Sequence, residues 1–255
     1  MKTLSLYQEK DTVIHKVDSI SKILYIIISI AIPIILPYQT VALLCLGVSI
    51  LLLLIGKVLK KIIPLISFSM LILISIVIIQ GLFKVGNKTP AFHIGNITFY
   101  KEGLKFSLEI CLRVINILCA FSILVLTTKP SDLIESLVRI GLSPKIGYVL
   151  ASVLQIIPQM ISTMETITDA QRSRGMETEG KLSVRIKAFV PLIGPVVMNS
   201  LINTRERSMA LEVRAFNSKS KKTFLNEEQS NSYNKIIKII LVLLFLVAIA
   251  WRILI

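Results

Sequence analysis

The chain has 255 residues, of which 54% are hydrophobic and only 17% charged, and its mean hydropathy is +0.76. Soluble globular domains carry roughly a quarter charged residues, so this composition excludes one and points to an all-α integral membrane protein. The net charge of +14 lies in segments flanking apolar runs, with no aromatic-interleaved basic face, which argues for cytoplasmic membrane-flanking charge and against nucleic acid as a partner.

In chain order, residues 1–22 are polar and mixed in charge, with Lys2, Lys10, Lys16 and Lys22, and are expected on the cytoplasmic side. The first apolar run follows Glu9, Asp11 and Asp18 and has no small-x-small cleavage site, so it reads as a retained span. Ile20 to Leu36 and Val41 to Ile55 are apolar runs joined at Pro37-Tyr38-Gln39 and closed by Lys57, Lys60 and Lys61, a hairpin returning to a basic cytoplasmic loop. Both are at or below the roughly 17 residues a spanning helix needs, so tilt or shortened ends are expected. Ile62 to Phe83 is a full span. From Lys84 to Gly103 the chain is polar, with turn signals at Gly86-Asn87 and Gly95-Asn96. Alternation at Phe92, Ile94, Ile97 and Phe99 permits a small β-hairpin, extracytoplasmic by parity. Leu104 to Thr127 returns through the membrane, with Glu109 and Arg113 as i,i+4 partners.

Pro130 and Asp132 suit a first helical turn, and Gly141 and Pro144 a stop. Leu133, Ile134, Leu137 and Val138 share one face between them, which predicts a short amphipathic helix. From Ile146 onward Val149, Leu150, Val153, Leu154 and Ile157 recur at spacings of three and four. Ser152, Gln155 and Gln159 lie on a polar stripe opposite, as in a helix lying along a membrane or a partner. The run Ala188 to Ile202 is interrupted by Pro191 and Gly194-Pro195 and is too short to span comfortably. Residues 217–235, with Lys219, Lys221, Lys222, Glu227 and Glu228, read as an exposed loop, and Ile236 to Leu254 as the last span. The expectation is about five crossings, the amino end inside, and three regions at 1–127, 128–222 and 223–255.

Two copies of one pattern stand out. Ala170-Gln171-Arg172-Ser173-Arg174-Gly175 and Ala210-Leu211-Glu212-Val213-Arg214-Ala215-Phe216 each place an alanine one helical turn before an arginine that is followed by a small residue. The alanine leaves room beside the arginine, and the small residue suits a helix end whose negative dipole favours a cation. Each copy is expected to be a helix tip presenting one arginine. His15 and His93 are the only histidines, which rules out an HExxH zinc site, and no GxxxxGK[ST] loop is present. Cys45, Cys111 and Cys119 lie in apolar runs without metal-ligand spacing. No metal site, no cofactor and no catalytic residues are expected. A self-contained permease would need polar groups converging at mid-membrane, and the spans offer little beyond Glu109, Arg113, Asn116 and scattered serines. A membrane-embedded enzyme is disfavoured by the same inventory.

With these residues in view, the chain resembles the transmembrane T component of energy-coupling factor (ECF) transporters, ABC-type importers of vitamins and of cobalt or nickel. Ile14-His15-Lys16-Val17-Asp18 with Lys22 resembles the family's His-x-Leu-Asp-Pro-Arg-x-Lys segment, with Ser19 and Ile20 where Pro and Arg are usual. Thr127 to Ser143 is similar to the short helix after the fourth span. The two arginine copies resemble the family's paired Ala-Arg-Gly signatures, with Ser173, Val213 and Ala215 as departures. The resemblance implies a non-catalytic subunit of a bacterial cell membrane. It implies that Arg174 and Arg214, with Ala170, Gly175, Ala210 and Ala215, form coupling-helix tips seated in two cytoplasmic ABC-type ATPase subunits. It also implies a separate substrate-binding S component, for which Leu133, Leu137, Ser152, Gln155 and Gln159 are the candidate contacts.

Overall fold

The protein is described by a computed structural model covering residues 7–85, 89–94, 97–176, 182–218, 220, 223–224 and 232–254. The turn residues Gly86, Asn87, Gly95 and Asn96, and Lys2, Lys88, Lys219, Lys221, Lys222, Glu227 and Glu228, lie outside the described residues. Two compact units form, residues 1–137 with 229–255, and residues 138–228.

In the first unit a one-turn helix α1 (Val13–Lys16) precedes α2 (Ser19–Ile35), α3 (Gln39–Ile55), α4 (Leu59–Phe83), the strands β1 (Pro90–Ile94) and β2 (Ile97–Tyr100), α5 (Lys101–Thr127) and the start of α6 (Pro130–Ile140); α9 (Ser232–Leu254) closes it. Helix α5 is the hub, packing against α2, α3 and α4, while α9 packs on α2. The β-hairpin expected from alternation is present. β1 and β2 pair antiparallel, with Phe92 opposite Phe99, His93 opposite Thr98 and Ile94 opposite Ile97. Glu109 and Arg113 form the expected i,i+4 ion pair within α5.

Apolar packing holds the bundle around Leu53, Val58, Ile62, Cys119 and Ile123, all nearly inaccessible. A polar cluster fixes its register. Asn116, on α5 and 1% exposed, donates from Nδ2 to the Ser29 carbonyl at 2.9 Å and to Ser29 Oγ at 3.1 Å. Its Oδ1 accepts from Ser49 Oγ at 2.8 Å, and Ser49 meets Tyr25 Oη at 2.8 Å. One amide therefore links α2, α3 and α5, and its hydrogen bonds are made within the protein rather than toward a pore. Asn116→Leu should leave the Ser29 carbonyl and Ser49 hydroxyl without this partner, at about 1–3 kcal/mol. Thermal inactivation of the purified chain in detergent should show the loss, whereas Asn116→Gln should lose less. Equal stability of Asn116→Leu and the parent would contradict this role.

Among the described residues four helices are long and apolar enough to cross a membrane: α4, α5, α9 and α7 (Pro144–Ser173), while α2 and α3 have 17 residues each. The sequence reading placed α2 and α3 among the spans and α7 along a surface. The 30 residues of α7 continue through Pro158, and this helix qualifies by length and composition alone.

The second unit holds the end of α6, then α7 and α8 (Leu182–Val213). Sequence marked only Ala188 to Ile202 as a short apolar run, yet α8 is one 32-residue helix that passes through both Pro191 and Pro195. An internal proline removes one i→i−4 hydrogen bond and clashes with the preceding turn, which bends a helix more readily than it ends one when flanking turns are packed. Leu192 and Val196, buried on either side of Pro195, supply such packing.

Candidate functional site: two arginine tips

Both arginines close a helix in the same way. Helix α7 ends at Ser173, with Arg174 as its C-cap and Gly175 at φ +87°. The Gly175 N–H donates to the Arg172 carbonyl at 2.9 Å and the Met176 N–H to the Gln171 carbonyl at 3.1 Å. Helix α8 ends at Val213, followed by Arg214 and then Ala215 at φ +53°. The Ala215 N–H donates to the Glu212 carbonyl at 2.9 Å and the Phe216 N–H to the Leu211 carbonyl at 3.0 Å. These are two copies of the Schellman closure, in which the residue after the cap takes the left-handed conformation and the helix-end carbonyls find donors. Each closure consumes backbone groups and leaves the arginine side chain outward. Arg174, Arg214, Ala170 and Ala210 are all exposed, and among the described residues neither guanidinium has a carboxylate partner.

The left-handed position explains why a small residue follows each arginine. Nothing lies within 4 Å of a side chain added at Gly175, so its substitution acts through backbone conformation alone. Gly175→Ala should weaken that helix end by about 1 kcal/mol, and Ala215→Gly should strengthen the other by up to that amount. Hydrogen exchange at the Met176 and Phe216 amides reads both, with about a fivefold change in protection expected. Changes of the same sign at the two sites would refute the shared closure.

The two tips stand far apart. Helices α7 and α8 pack antiparallel: Arg207 Nη2 donates to Gln159 Oε1 at 2.9 Å, and the rings of Tyr148 and Phe216 lie 5.3 Å apart. Arg214 therefore sits beside the first turns of α7 while Arg174 caps its last. Tyr148 and Arg174 are 26 residues apart, about 39 Å along a helix rising 1.5 Å per residue.

The other candidate residues divide between elements. Leu133 and Leu137 lie half-buried on α6 beside buried Ile134 and Ser136. Ser152 is half-buried on α7, and Gln155 and Gln159 are exposed. Gln159 faces α8 through Arg207, next to a cavity of about 40 Å³ lined by Thr163, Asn199, Asn203 and Thr204. The apolar face of α7 stays open instead: Val149, Leu150, Val153, Leu154 and Ile157 are all exposed. Sequence periodicity found both faces but had no signal for which one α8 covers.

A further group was visible only as a family-like segment. Asp18 Oδ1 accepts from the Ile20 N–H at 3.3 Å, Asp18 Oδ2 pairs with Lys238 Nζ at 2.6 Å, and Lys22 Nζ donates to the Thr127 carbonyl at 3.0 Å. His15 Nε2 donates to the Gln8 carbonyl at 2.9 Å, so its Nδ1 accepts from Thr12 Oγ1 at 2.6 Å. Burial pushes this imidazole below its usual pKa, in keeping with a neutral ring that accepts on one side.

Residues 10–224 match the family described as CbiQ, cobalt transport protein. The energy-coupling factor transporter transmembrane protein EcfT of Staphylococcus aureus (strain 04-02981) is 31% identical over 137 residues, 50% of this chain and 51% of that protein. The protein of that name from Brevibacillus brevis is 29% identical over 190 residues, covering 71% of this chain and 72% of the relative. The one from Lactococcus lactis subsp. cremoris is 26% identical over 261 aligned positions, 96% of each chain. The match to the Staphylococcus protein thus spans about half the length of each, whereas the Lactococcus match runs nearly end to end. The chain is therefore an all-α membrane transport protein that belongs to the CbiQ family, the family its paired arginine signatures resemble.

Proposed function

We propose that this chain is the T component of an ECF importer, a non-catalytic scaffold that couples two cytoplasmic ABC-type ATPase subunits to a membrane-embedded S component carrying a vitamin or a metal ion. The observation that carries this reading is the pair of identically closed arginine tips at opposite ends of one antiparallel helix pair. A separation of about 39 Å suits one tip per ATPase subunit, and the outward guanidiniums suit a carboxylate-lined groove, where an arginine fork makes two parallel hydrogen bonds. Ala170 and Ala210 leave room for the groove wall, and Gly175 and Ala215 close the helix ends. ATP binding draws the two ATPase subunits together, their grooves displace the two tips, and α6 and α7 rearrange against the S component.

Leu133 and Leu137 of the first unit, and separately Ser152, Gln155 and Gln159 of the second, are the candidate S-component contacts in this scheme. The open apolar face from Val149 to Ile157, on the opposite side of α7 from Ser152, Gln155 and Gln159, supports α7 as the element that meets a partner, because an apolar stripe of that length is unstable in water and needs lipid or a protein partner. Gln159, already bonded to Arg207, contributes least. The regions 1–127 and 223–255 form the membrane body and 128–222 the coupling region, with the amino end cytoplasmic.

Co-expression with two ATPase subunits and an S component tests the assignment. The chain should co-purify with both ATPases, and cysteines at Ser183 and Ser218 should be labelled only from the cytoplasmic side. Labelling of both from outside intact cells, or purification of the chain free of ATPases, would overturn it.

A further inference from the structure

The segment around Asp18 and Lys22 takes no part in the scheme above, yet it makes several polar contacts to distant parts of the first unit. Lys22 is 5% exposed, and a lysine that deeply buried requires partners. Its hydrogen-bond partners are neutral oxygens, with the carboxylates of Asp18 and Asp132 near enough to favour its charge. Its ammonium donates to the carbonyl of Thr127, the last residue of α5, at 3.0 Å and to Thr128 Oγ1 at 3.2 Å. The last carbonyls of a helix lack internal donors and form the negative end of its dipole, so Lys22 caps α5 from another helix. The preceding carbonyl, that of Leu126, takes the Gln8 N–H at 3.1 Å.

One turn earlier on α2, Asp18 caps its own helix through the Ile20 N–H and holds Lys238 of α9 at 2.6 Å. Residues four apart share a helix face, so a single turn of α2 grips the end of α5 and the start of α9. Only Thr128 and Lys129 separate α5 from α6. Thr128 is extended at φ −127° and ψ 128°, and Lys129 is paired with Glu9 at 2.8 Å. With so short a connector, the direction in which α6 leaves the bundle is set by where Thr127 and Thr128 are held. Apolar contacts alone would let that junction slide along α2, whereas a buried ammonium on a carbonyl fixes it at one register.

We propose that Asp18 and Lys22 are positioning residues that lock the α5–α6 junction and the start of α9 to the first turn of α2, so that displacement of α6 moves these three helices as one body. This rests on the coupling function proposed above. Two readouts separate the two ideas. In the chain alone, spin labels on Ser131 and Lys235 report the distance between the starts of α6 and α9. The parent should give one narrow distribution, Lys22→Met a broadened one, and Lys22→Arg, which keeps a cation for the Thr127 carbonyl, a narrow one again. In the complete complex reconstituted in vesicles, Lys22→Met should keep both ATPases bound and keep hydrolysing ATP. Substrate uptake per ATP should fall about fivefold or more, the low end of typical coupling free energies. Asp18→Asn, which retains the helix cap because asparagine caps as well as aspartate, should lower the ratio in the same way as Lys238→Met. An unchanged distance distribution in Lys22→Met, or uptake that falls only in proportion to hydrolysis, would overturn the proposal. A broadened distribution in a chain whose parent complex binds no ATPase would support the lock and refute the coupling function instead.

Discussion

Replacing Arg174 and Arg214 together by alanine should release both ATPase subunits and abolish ATP-dependent uptake, while the protein still inserts and folds. If each guanidinium sits against a carboxylate in a partner groove, truncating one leaves that carboxylate buried without its partner, at about 2–5 kcal/mol. A single replacement should therefore loosen one of two contacts, and the double one both. Folding should be spared because each helix end is closed by backbone hydrogen bonds that do not involve the arginine side chain. The choice of control matters. Arg172 lies 4.0 Å from Asp169 and Arg207 holds Gln159, so their loss disturbs α7 and α8 themselves. Arg205, exposed on α8 about two turns before Arg214, is the cleaner comparison. If any cation near the headgroups sufficed, as the positive-inside tendency alone would have it, Arg205→Ala would behave like the other two.

The second large effect is expected at Gly103, where α5 crosses α4 next to Gly81. A methyl group at Gly103 would stand 2.3 Å from the Gln80 carbonyl oxygen and 3.0 Å from the Gly81 Cα. Both obstacles are backbone, so neither can rotate away. Close approach through small residues is a common way for spans to pack, and here it joins α5 to α4 beside the β-hairpin. Gly103→Ala should destabilise the bundle by about 3 kcal/mol, the upper end for overpacking, outweighing the roughly 1 kcal/mol that alanine gains over glycine in helix propensity. Gly81→Ala should be milder, because its nearest obstacle is the Phe99 ring at 2.9 Å, which can swing. Monodisperse fraction against temperature in detergent measures both, and a Gly103→Ala protein as stable as the parent would show that the helices separate at little expense.

How much of this was legible beforehand depends on whether the deciding forces are local. The helix tips were readable because a capping arginine followed by a left-handed residue is fixed within six residues, and the structure closes both ends as that pattern requires. The β-hairpin was readable from period-two alternation. The continuity of α8 was not, since Pro191 and Pro195 are local signals to stop and their effect is offset by packing around Leu192 and Val196. Nor could the sequence say that the two tips lie at opposite ends of one helix pair, because that follows from Tyr148 meeting Phe216 and Gln159 meeting Arg207. The grip of Lys22 on Thr127 joins residues 105 positions apart. A lysine at the start of an apolar run reads as a flanking charge until its partner is seen.

Site-directed cross-linking at the two tips tests the central claim most directly. Cysteines introduced singly beside the arginines, at Ser173 and at Val213, both exposed, are cross-linked in the assembled complex to cysteines placed along the grooves of the ATPase subunits. The expected result is one dominant product from each position, with the two tips reaching different ATPase subunits and the cross-linking yields changing when ATP is added. Cross-linking of both tips to one subunit, or of neither to any ATPase in a complex that still transports, would contradict the coupling of two separate ATPases through two arginine-tipped helices.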